Sequence, residues 1–317
     1  MRNIFIINPA SGGGMQADRL LTKIKKLEEE RNVKIEYHIT EGMYDAEHYA
    51  KQVCVFNETH EELRFFVCGG DGTLNEVLNG IINFPEATVG VIPVGTGNDF
   101  VRNFPLGDSF SDIDKQFDGT TVKTDIIKYT YEKNGQKVSR YCANMFNIGF
   151  DCNVVVVTQT VKKLPFISGH LAYLLSLVLV LIKKMGAELN ITWETPDGEE
   201  RSFGGKILLT AIANGCYCGG GVKGIPLALV NDGEIDLSII KNMSRTRLAT
   251  LYSKYAEGTH LDEEKAKPYI IYEKCKKLSV SPRGGSMKLC VDGEVIDAGT
   301  VDFEIVPEAM SFILPKH

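Results

Sequence analysis

Along the first third of the chain, short apolar runs alternate with stretches in which apolar residues recur three and four positions apart. Residues 3–8 read as an apolar strand, and after a turn at residues 9–14 the segment 17–31 places Leu20, Ile24 and Leu27 on one helical face. Residues 33–39 alternate Val, Ile, Tyr and Ile, as a half-buried strand does. Residues 64–68 predict a strand ending at Gly69, and Leu74, Val77, Leu78 and Ile81 mark the inner stripe of the helix after it. Residues 88–92 predict the next strand. Strand and helix in alternation build a parallel sheet. Three of the strands run straight into glycine-containing turns, and ligands of open α/β sheets bind beyond the carboxyl ends of the strands.

From about residue 123 the pattern changes to strand-like runs joined by turn signals. Residues 123–132 precede the turn pair Asn134-Gly135, and residues 190–194 precede Pro196-Asp197-Gly198. Further strands are predicted at residues 206–213, 234–241, 277–281, 287–291 and 300–306, with helices at 167–183 and 245–257. The predicted architecture is an α/β domain with a three-layer parallel sheet over residues 1–122, followed by an antiparallel β-sandwich domain over residues 123–306. No repeat, low-complexity tract or long linker separates them.

A length of 317 residues suits about two domains, and 44% hydrophobic with 24% charged residues is ordinary for a globular enzyme. The formal net charge of -6 gives no electrostatic reason to expect nucleic-acid binding, which calls for a clustered basic face, and nucleic acid is not expected as a partner. Residues 1–8 read as a strand, not as a signal peptide, so a cytoplasmic location is expected. The eight cysteines are scattered without a C-x-x-C pair, which predicts reduced, mostly buried thiols. Residues 164–182 lie between two lysine pairs, but Pro165, Gly169 and His170 interrupt the first third. The uninterrupted apolar run 171–182 spans only about 18 Å as a helix, short of the ~30 Å hydrocarbon core. It reads either as a core helix or as a helix that touches lipid. His170 itself reads as a packing residue.

Candidate chemistry gathers in the turns. Gly69-Gly70-Asp71-Gly72-Thr73 joins a strand to a helix whose first turn also carries Asn75 and Glu76. Its glycines bring backbone within reach of a phosphate chain, and N–H groups at a helix start favour anions. An aspartate there would repel a bare phosphate, so Asp71 is best read as acting through Mg²⁺. A second turn, Pro93-Val94-Gly95-Thr96-Gly97-Asn98-Asp99, follows the next strand, and Asp99 could join Asp71 around a metal. A third, Asn8-Pro9-Ala10-Ser11-Gly12, precedes the first helix. Neither G-x-G-x-x-G nor a Walker-type lysine run is present. Arg102 reads as a phosphate-neutralising cation or as a surface arginine.

These three turns together resemble the catalytic domain of the diacylglycerol kinase and sphingosine kinase superfamily, and most closely its soluble bacterial lipid kinases. The resemblance extends over nearly the whole chain through Asn147-x-Gly149-Phe150-Asp151, Asn214-Gly215 with Gly219-Gly220-Gly221, Pro226-x-Ala228 with Asp232-Gly233, and Val291-Asp292-Gly293-Glu294. It implies that Asn8, Ser11, Thr40, the run Gly69, Gly70, Asp71, Gly72, Thr73, Leu74 and Asn75, and then Gly95, Thr96 and Asn98 contact ATP. It implies that Asp71, Asp99 and Asp125 organise a catalytic Mg²⁺, and that Glu294 is the general base. Leu229, Asp232 and Glu234 fall where such enzymes hold a second, structural Mg²⁺ through one aspartate side chain and two backbone carbonyls, and Glu234, in place of the usual apolar residue, would keep the backbone role with a new side chain. The extreme C-terminus, residues 307–317, is expected to return to the first domain, with the active site in the cleft between the domains.

The activity so implied is ATP-dependent phosphorylation of a hydroxyl on diacylglycerol or a related lipid, by a protein peripherally attached to the cytoplasmic membrane surface. The main enzymatic rival is a nicotinamide dinucleotide kinase, which shares the Gly-Gly-Asp-Gly-Thr turn. Against it stand the form of the 93–99 turn and the late Asp-Gly-Glu element. A sensor that had lost turnover would be expected to lack Asp71 or Glu294, and both are present. The sequence leaves the lipid and the oligomeric state open, a homodimer included.

Overall fold

In the computed structural model, residues 1–13, 17–150, 152–153 and 186–317 are described. The expected helix at residues 167–183, the apolar run 171–182 with its flanking lysines, His170 and Asp151 lie outside the described residues. The chain forms two compact units. The first comprises Met1–Ile126, Gly219–Gly221 and Pro307–His317, and the second Ile127–Cys218 and Val222–Val306.

The first unit is built on parallel strands β1 (Arg2–Ile7), β2 (Ile35–Ile39), β3 (Leu63–Gly69) and β4 (Ala87–Pro93), in the order β2-β1-β3-β4. Beyond β4 the order continues with the end of the last strand of the chain, where Phe312 and Ile313 pair with Val89 and Gly90. Every residue of β3 is buried, as a strand covered on both faces requires. Helix α1 (Ala17–Arg31) turns Leu20, Ile24 and Leu27 onto one face, against Phe5, Ile7, Phe66 and Cys68. Helices α2 (Asp45–Val55) and α3 (Asp71–Ile81) pack together, and α3 buries Leu74, Val77, Leu78 and Ile81. A short helix, α4 (Ile113–Phe117), is capped by the Asp112 carboxylate, which accepts from the N–H groups of Asp114 and Lys115.

Helix α2 is missing from the sequence reading. Its buried residues are Ala46, Ala50, Val53 and Cys54, too small to raise a clear apolar stripe among Asp45, Glu47, His48 and Lys51. Its start also lacks a cap from its own segment, Tyr44 being left-handed at φ 64. The cap comes from α3 instead. The Glu76 carboxylate accepts from the N–H of Tyr44 at 3.0 Å and of Ala46 at 3.2 Å, and so stabilises a helix remote in sequence.

The second unit is antiparallel β with one described α-helix. Strand β5 (Thr120–Lys133) enters it at Ile127 and returns as β6 (Gln136–Cys142) through Asn134-Gly135, both at positive φ as a two-residue type I′ turn demands. The strands β7 (Met145–Gly149), β8 (Ala187–Glu194), β9 (Glu200–Ala213), β10 (Ile235–Lys241), β11 (Ile270–Cys275), β12 (Lys277–Pro282), β13 (Met287–Val291), β14 (Glu294–Ala298) and the first half of β15 (Val301–Leu314) complete it. Their order runs β14-β13-β7-β9-β8-β12-β15, with β10 between β9 and β11. Strand β8 alternates buried and exposed residues without a break, and its Leu189, Ile191 and Trp193 join Phe146, Leu237, Leu278 and Phe303 in the core.

Helix α5 (Arg245–Glu257) has Ser244 as its N-cap and left-handed Gly258 at its end. It packs Leu248 and Tyr255 against Phe150, Leu208, Leu209 and Ile240. His260 lies beside Tyr255 and is 2% exposed. All eight cysteines are free thiols, so no disulfide contributes to either unit.

Candidate nucleotide and metal site

Because β1 to β4 are parallel, their carboxyl ends share one edge of the first unit, and the chain leaves each through a polar or glycine-rich turn. After β1, Asn8 accepts from the Ala10 N–H through Oδ1 and donates through Nδ2 to Thr73 Oγ1 at 2.9 Å. Ser11 begins the short 3₁₀ turn that follows, in which Gly12 is left-handed at φ 65. After β2, buried Thr40 donates its N–H to the Ile7 carbonyl at 2.9 Å and so stands beside the end of β1.

After β3, Gly70 precedes α3 in an extended conformation, and no side chain caps the helix. The N–H groups of its first turn therefore remain available to an anion. Gly72 lies in that first turn. Leu74 is 2% exposed, so it could offer a ligand only its backbone, while Asn75 bonds through its carbonyl to Asn79 Nδ2. After β4 the chain passes so near Gly70 that a methyl group on Gly95 would lie 2.4 Å from the Gly70 Cα. Asn98, left-handed at φ 53, closes this turn by donating to the Gly95 carbonyl at 2.8 Å, and Thr96 lies inside the loop thus closed.

Asp71 joins the two turns. Its Oδ2 accepts from the Asp99 N–H at 3.1 Å and its Oδ1 from the Phe100 N–H at 3.2 Å. Both carboxylates flank Gly97, whose Cβ position would lie 3.0 Å from Asp71 Oδ2 and 3.3 Å from Asp99 Oδ2. Asp99 is buried, and both its oxygens accept from the N–H of Gly220, at 3.1 and 3.0 Å. Burial first, with the Asp71 charge adding to it, raises the Asp99 carboxyl to about 6, against the hydrogen bond from Gly220 and the nearby Arg102. Arg102 Nε stands 3.7 Å from Asp99 Oδ1, and its Nη2 donates to the Gly97 carbonyl at 3.3 Å.

Two neighbouring carboxylates on either side of Gly97 suit a hard divalent cation, which takes one or two carboxylates and completes its shell with water and phosphate oxygens. Asp71 and Asp99 thus fit Mg²⁺. Asp125 does not join them. It is buried on β5, where its Oδ1 accepts from the Glu308 N–H at 2.7 Å and pins a left-handed residue of the returning chain. Among the described residues no group of three or more His, Cys, Asp or Glu could hold a metal ion. The expected three-aspartate cluster is therefore reduced to a pair.

The second expected metal set also looks different in the structure. Asp232 Oδ1 accepts from the Glu234 N–H, while its Oδ2 lies 2.6 Å from Lys274 Nζ. The same ammonium reaches Asp236 Oδ2 at 3.0 Å and Glu234 Oε2 at 3.5 Å, and Tyr272 donates to the other Asp236 oxygen. The Leu229 side chain is exposed. As arranged, the Asp232 carboxylate has Lys274 as its cation, and a second Mg²⁺ there would have to displace that ammonium. Sequence reading missed Lys274 because only the pairing of β10 with β11 brings it opposite Asp236.

Glu294 belongs to the second unit, on the exposed tip of the β13–β14 hairpin. Asp292 and Gly293, at φ 45 and 90, form the type I′ turn, and Val291 pairs with Glu294 across it.

Both units match known protein families. Residues 2–129 match the diacylglycerol kinase catalytic domain, and residues 145–314 match the YegS C-terminal NAD kinase beta sandwich-like domain. A diacylglycerol kinase of Staphylococcus carnosus (strain TM300) is 32% identical over 91% of this chain and 87% of its own. One from Bacillus subtilis (strain 168) is 31% identical over 98% of this chain and 96% of its own. The fold recurs in the crystal structure of a diacylglycerol kinase from Bacillus anthracis str. Sterne, with a TM-score of 0.67 at 20% identity over 98% of this chain and 96% of that one. The sequence matches, spanning both units, establish that the chain belongs to the diacylglycerol kinase family.

Proposed function

We propose that the chain is a lipid kinase that moves the γ-phosphoryl group of ATP to a hydroxyl of diacylglycerol or a related lipid at the cytoplasmic membrane surface. The observation that carries this reading is the joining of two glycine turns by Asp71, beside the uncapped start of α3. Such an edge offers backbone N–H groups to phosphate oxygens and acidic oxygens to a cation.

In this reading Gly69, Gly70, Gly72, Gly95 and the first turn of α3 cradle the phosphates, and Asn8, Ser11, Thr40, Thr73, Asn75, Thr96 and Asn98 supply polar contacts to ATP. Asp71 and Asp99 would hold Mg²⁺, which when bound would supply positive charge to neutralise the phosphates. Arg102 adds a fixed positive charge beside them. The lipid oxygen forms a bond to the γ-phosphorus as the bond from that phosphorus to the β–γ bridging oxygen breaks, and ADP leaves. Glu294 accepts the hydroxyl proton. Most of the rate comes from positioning and charge neutralisation, so a carboxylate that takes the proton only as the transition state forms is sufficient.

No helix among the described residues is long and apolar enough to cross a membrane. In this reading the lipid is reached by peripheral contact with the membrane surface.

The test is transfer of label from γ-labelled ATP with Mg²⁺ to a lipid panel in mixed micelles. The panel contains diacylglycerol, monoacylglycerol, phosphatidylglycerol, ceramide and a sphingoid base, with NAD and a no-acceptor control alongside. Label on a lipid is the expected result and identifies the acceptor. Label on NAD alone would make the chain a dinucleotide kinase, and label on nothing would make it a sensor.

A further inference from the structure

The tip of the β13–β14 hairpin is fastened from outside. The ladder between β13 and β7 pairs Leu289 with Ile148, Cys290 with Asn147 and Val291 with Phe146. At the next position Asp292 turns left-handed and leaves the strand, yet the ladder continues for one more step. The Asp292 N–H donates to the Met145 carbonyl at 3.2 Å, and Asp292 Oδ1 accepts from the Met145 N–H at 3.1 Å. A side-chain oxygen thus stands in for the backbone carbonyl that the turn has rotated away. The second oxygen, Oδ2, accepts from the Cys142 thiol at 3.1 Å. Cys142 is fully buried, and its Sγ also lies 3.7 Å from the Met145 carbonyl.

A two-residue turn fixes the residue that follows it only as well as the turn itself is held. Two-stranded hairpins are marginal on their own, and the exposed end of one frays first. Here the first turn residue is held by two bonds to one backbone unit and a third to a buried thiol. Glu294, two residues on and paired with Val291, inherits that fixity. We propose that Asp292 is a positioning residue, which holds the hairpin tip on β7 so that the Glu294 carboxylate meets the acceptor hydroxyl in one place. This inference rests on the reading of Glu294 as the base.

The experiment is a double-mutant cycle on kcat, with the best acceptor of the lipid panel as probe. Asp292→Ala should lower kcat by on the order of 10²-fold, as misplacement of a reacting group by about 1 Å does, with the KM for ATP unchanged. Asp292→Asn keeps a carbonyl oxygen for the Met145 N–H and should recover most of that loss. In the Glu294→Gln background, Asp292→Ala should cost nothing further. A merely structural role would lower kcat by the same factor in both backgrounds and would overturn the proposal. Wild-type kcat in Asp292→Ala beside an impaired Glu294→Gln would overturn the positioning role alone. Wild-type kcat in Glu294→Gln would overturn the base reading and the proposal with it. Should Asp292→Ala show no cooperative melting, Cys142→Ala takes its place in the cycle. It leaves both Met145 bonds intact and should lower kcat several-fold in the wild-type background only.

Discussion

Gly95 and Gly70 meet backbone to backbone, and the space between them has no room for even one methyl group: a Cβ on Gly95 would lie 2.4 Å from the Gly70 Cα and 2.8 Å from Asn98 Oδ1. The nearest atom is main chain, and the Asn98 amide is itself held by its bond to the Gly95 carbonyl, so relieving the clash requires moving the turns apart. Gly95→Ala should therefore destabilise the protein by about 1–3 kcal/mol, the range for overpacking. It should also weaken ATP binding more than lipid binding. Urea denaturation and nucleotide titration check the two effects.

Asp71 has a structural duty as well as its proposed electrostatic one, since it accepts from the N–H groups of both Asp99 and Phe100. Asp71→Asn presents an amide NH₂ where one of those bonds needs an acceptor. The expected outcome is a rise of an order of magnitude or more in the Mg²⁺ concentration that gives half-maximal turnover, with the KM for lipid little changed. An unaltered Mg²⁺ dependence would remove Asp71 from the metal.

Glu294→Gln should lower kcat by about 10²- to 10⁴-fold with ATP affinity retained, the usual cost of losing a general base. Steady-state kinetics and nucleotide binding on the same preparation separate the two quantities.

Lys274 is the shared cation of Asp232, Glu234 and Asp236, and Asp236 is fully buried. Lys274→Met would leave these acids without it. The cost should be about 1–3 kcal/mol, below that of breaking a fully buried pair, because the lysine side chain is 31% exposed. Added Mg²⁺ should then raise the melting temperature of the variant more than that of the wild type. Calorimetry with and without Mg²⁺ measures both.

His260 is held neutral. Burial lowers its pKa from 6.5 to about 4, so between those values the unfolded chain binds the extra proton and the folded one does not. Stability should be fully present above pH 6.5 and fall as the pH drops toward 4, by on the order of 3 kcal/mol from this group. His260→Leu should flatten that part of the stability profile, which denaturant unfolding across pH 4 to 7.5 would show.

The sequence carried the fold class because its two periodicities differ so plainly. Leu20, Ile24 and Leu27 can only be a helix stripe, and the Val-Ile-Tyr-Ile alternation can only be a strand. Helix α2 stayed hidden because small buried residues leave little amphipathic signal, and β6, β7, β11 and β14 because their short runs lack a clean apolar alternation. At the candidate site the residue types were legible and their partners were not. Glu76 stands in the same run as Asp71, yet it spends its carboxylate on the start of α2. Asp125 is spent on Glu308, and Asp232 on Lys274. Each of these pairings spans tens of residues, a distance at which local pattern is silent. Asp292 has the same character: its neighbours announce a turn, but nothing near it announces Met145 or Cys142.

The place of Phe312 and Ile313 in the first sheet bears on how the protein is made. They are the outer neighbours of β4, and they are synthesised long after it. Until they emerge, the edge formed by Val89 and Gly90 has no partner on that side, and Gln116 lacks the Ile313 carbonyl to which it donates. The first unit is thus begun early in synthesis and closed only once residues 312 and 313 have been made. During synthesis its open apolar edge is a site where nascent chains can pair with one another, and a chain that stalls before residue 312 should be captured by chaperones, not folded.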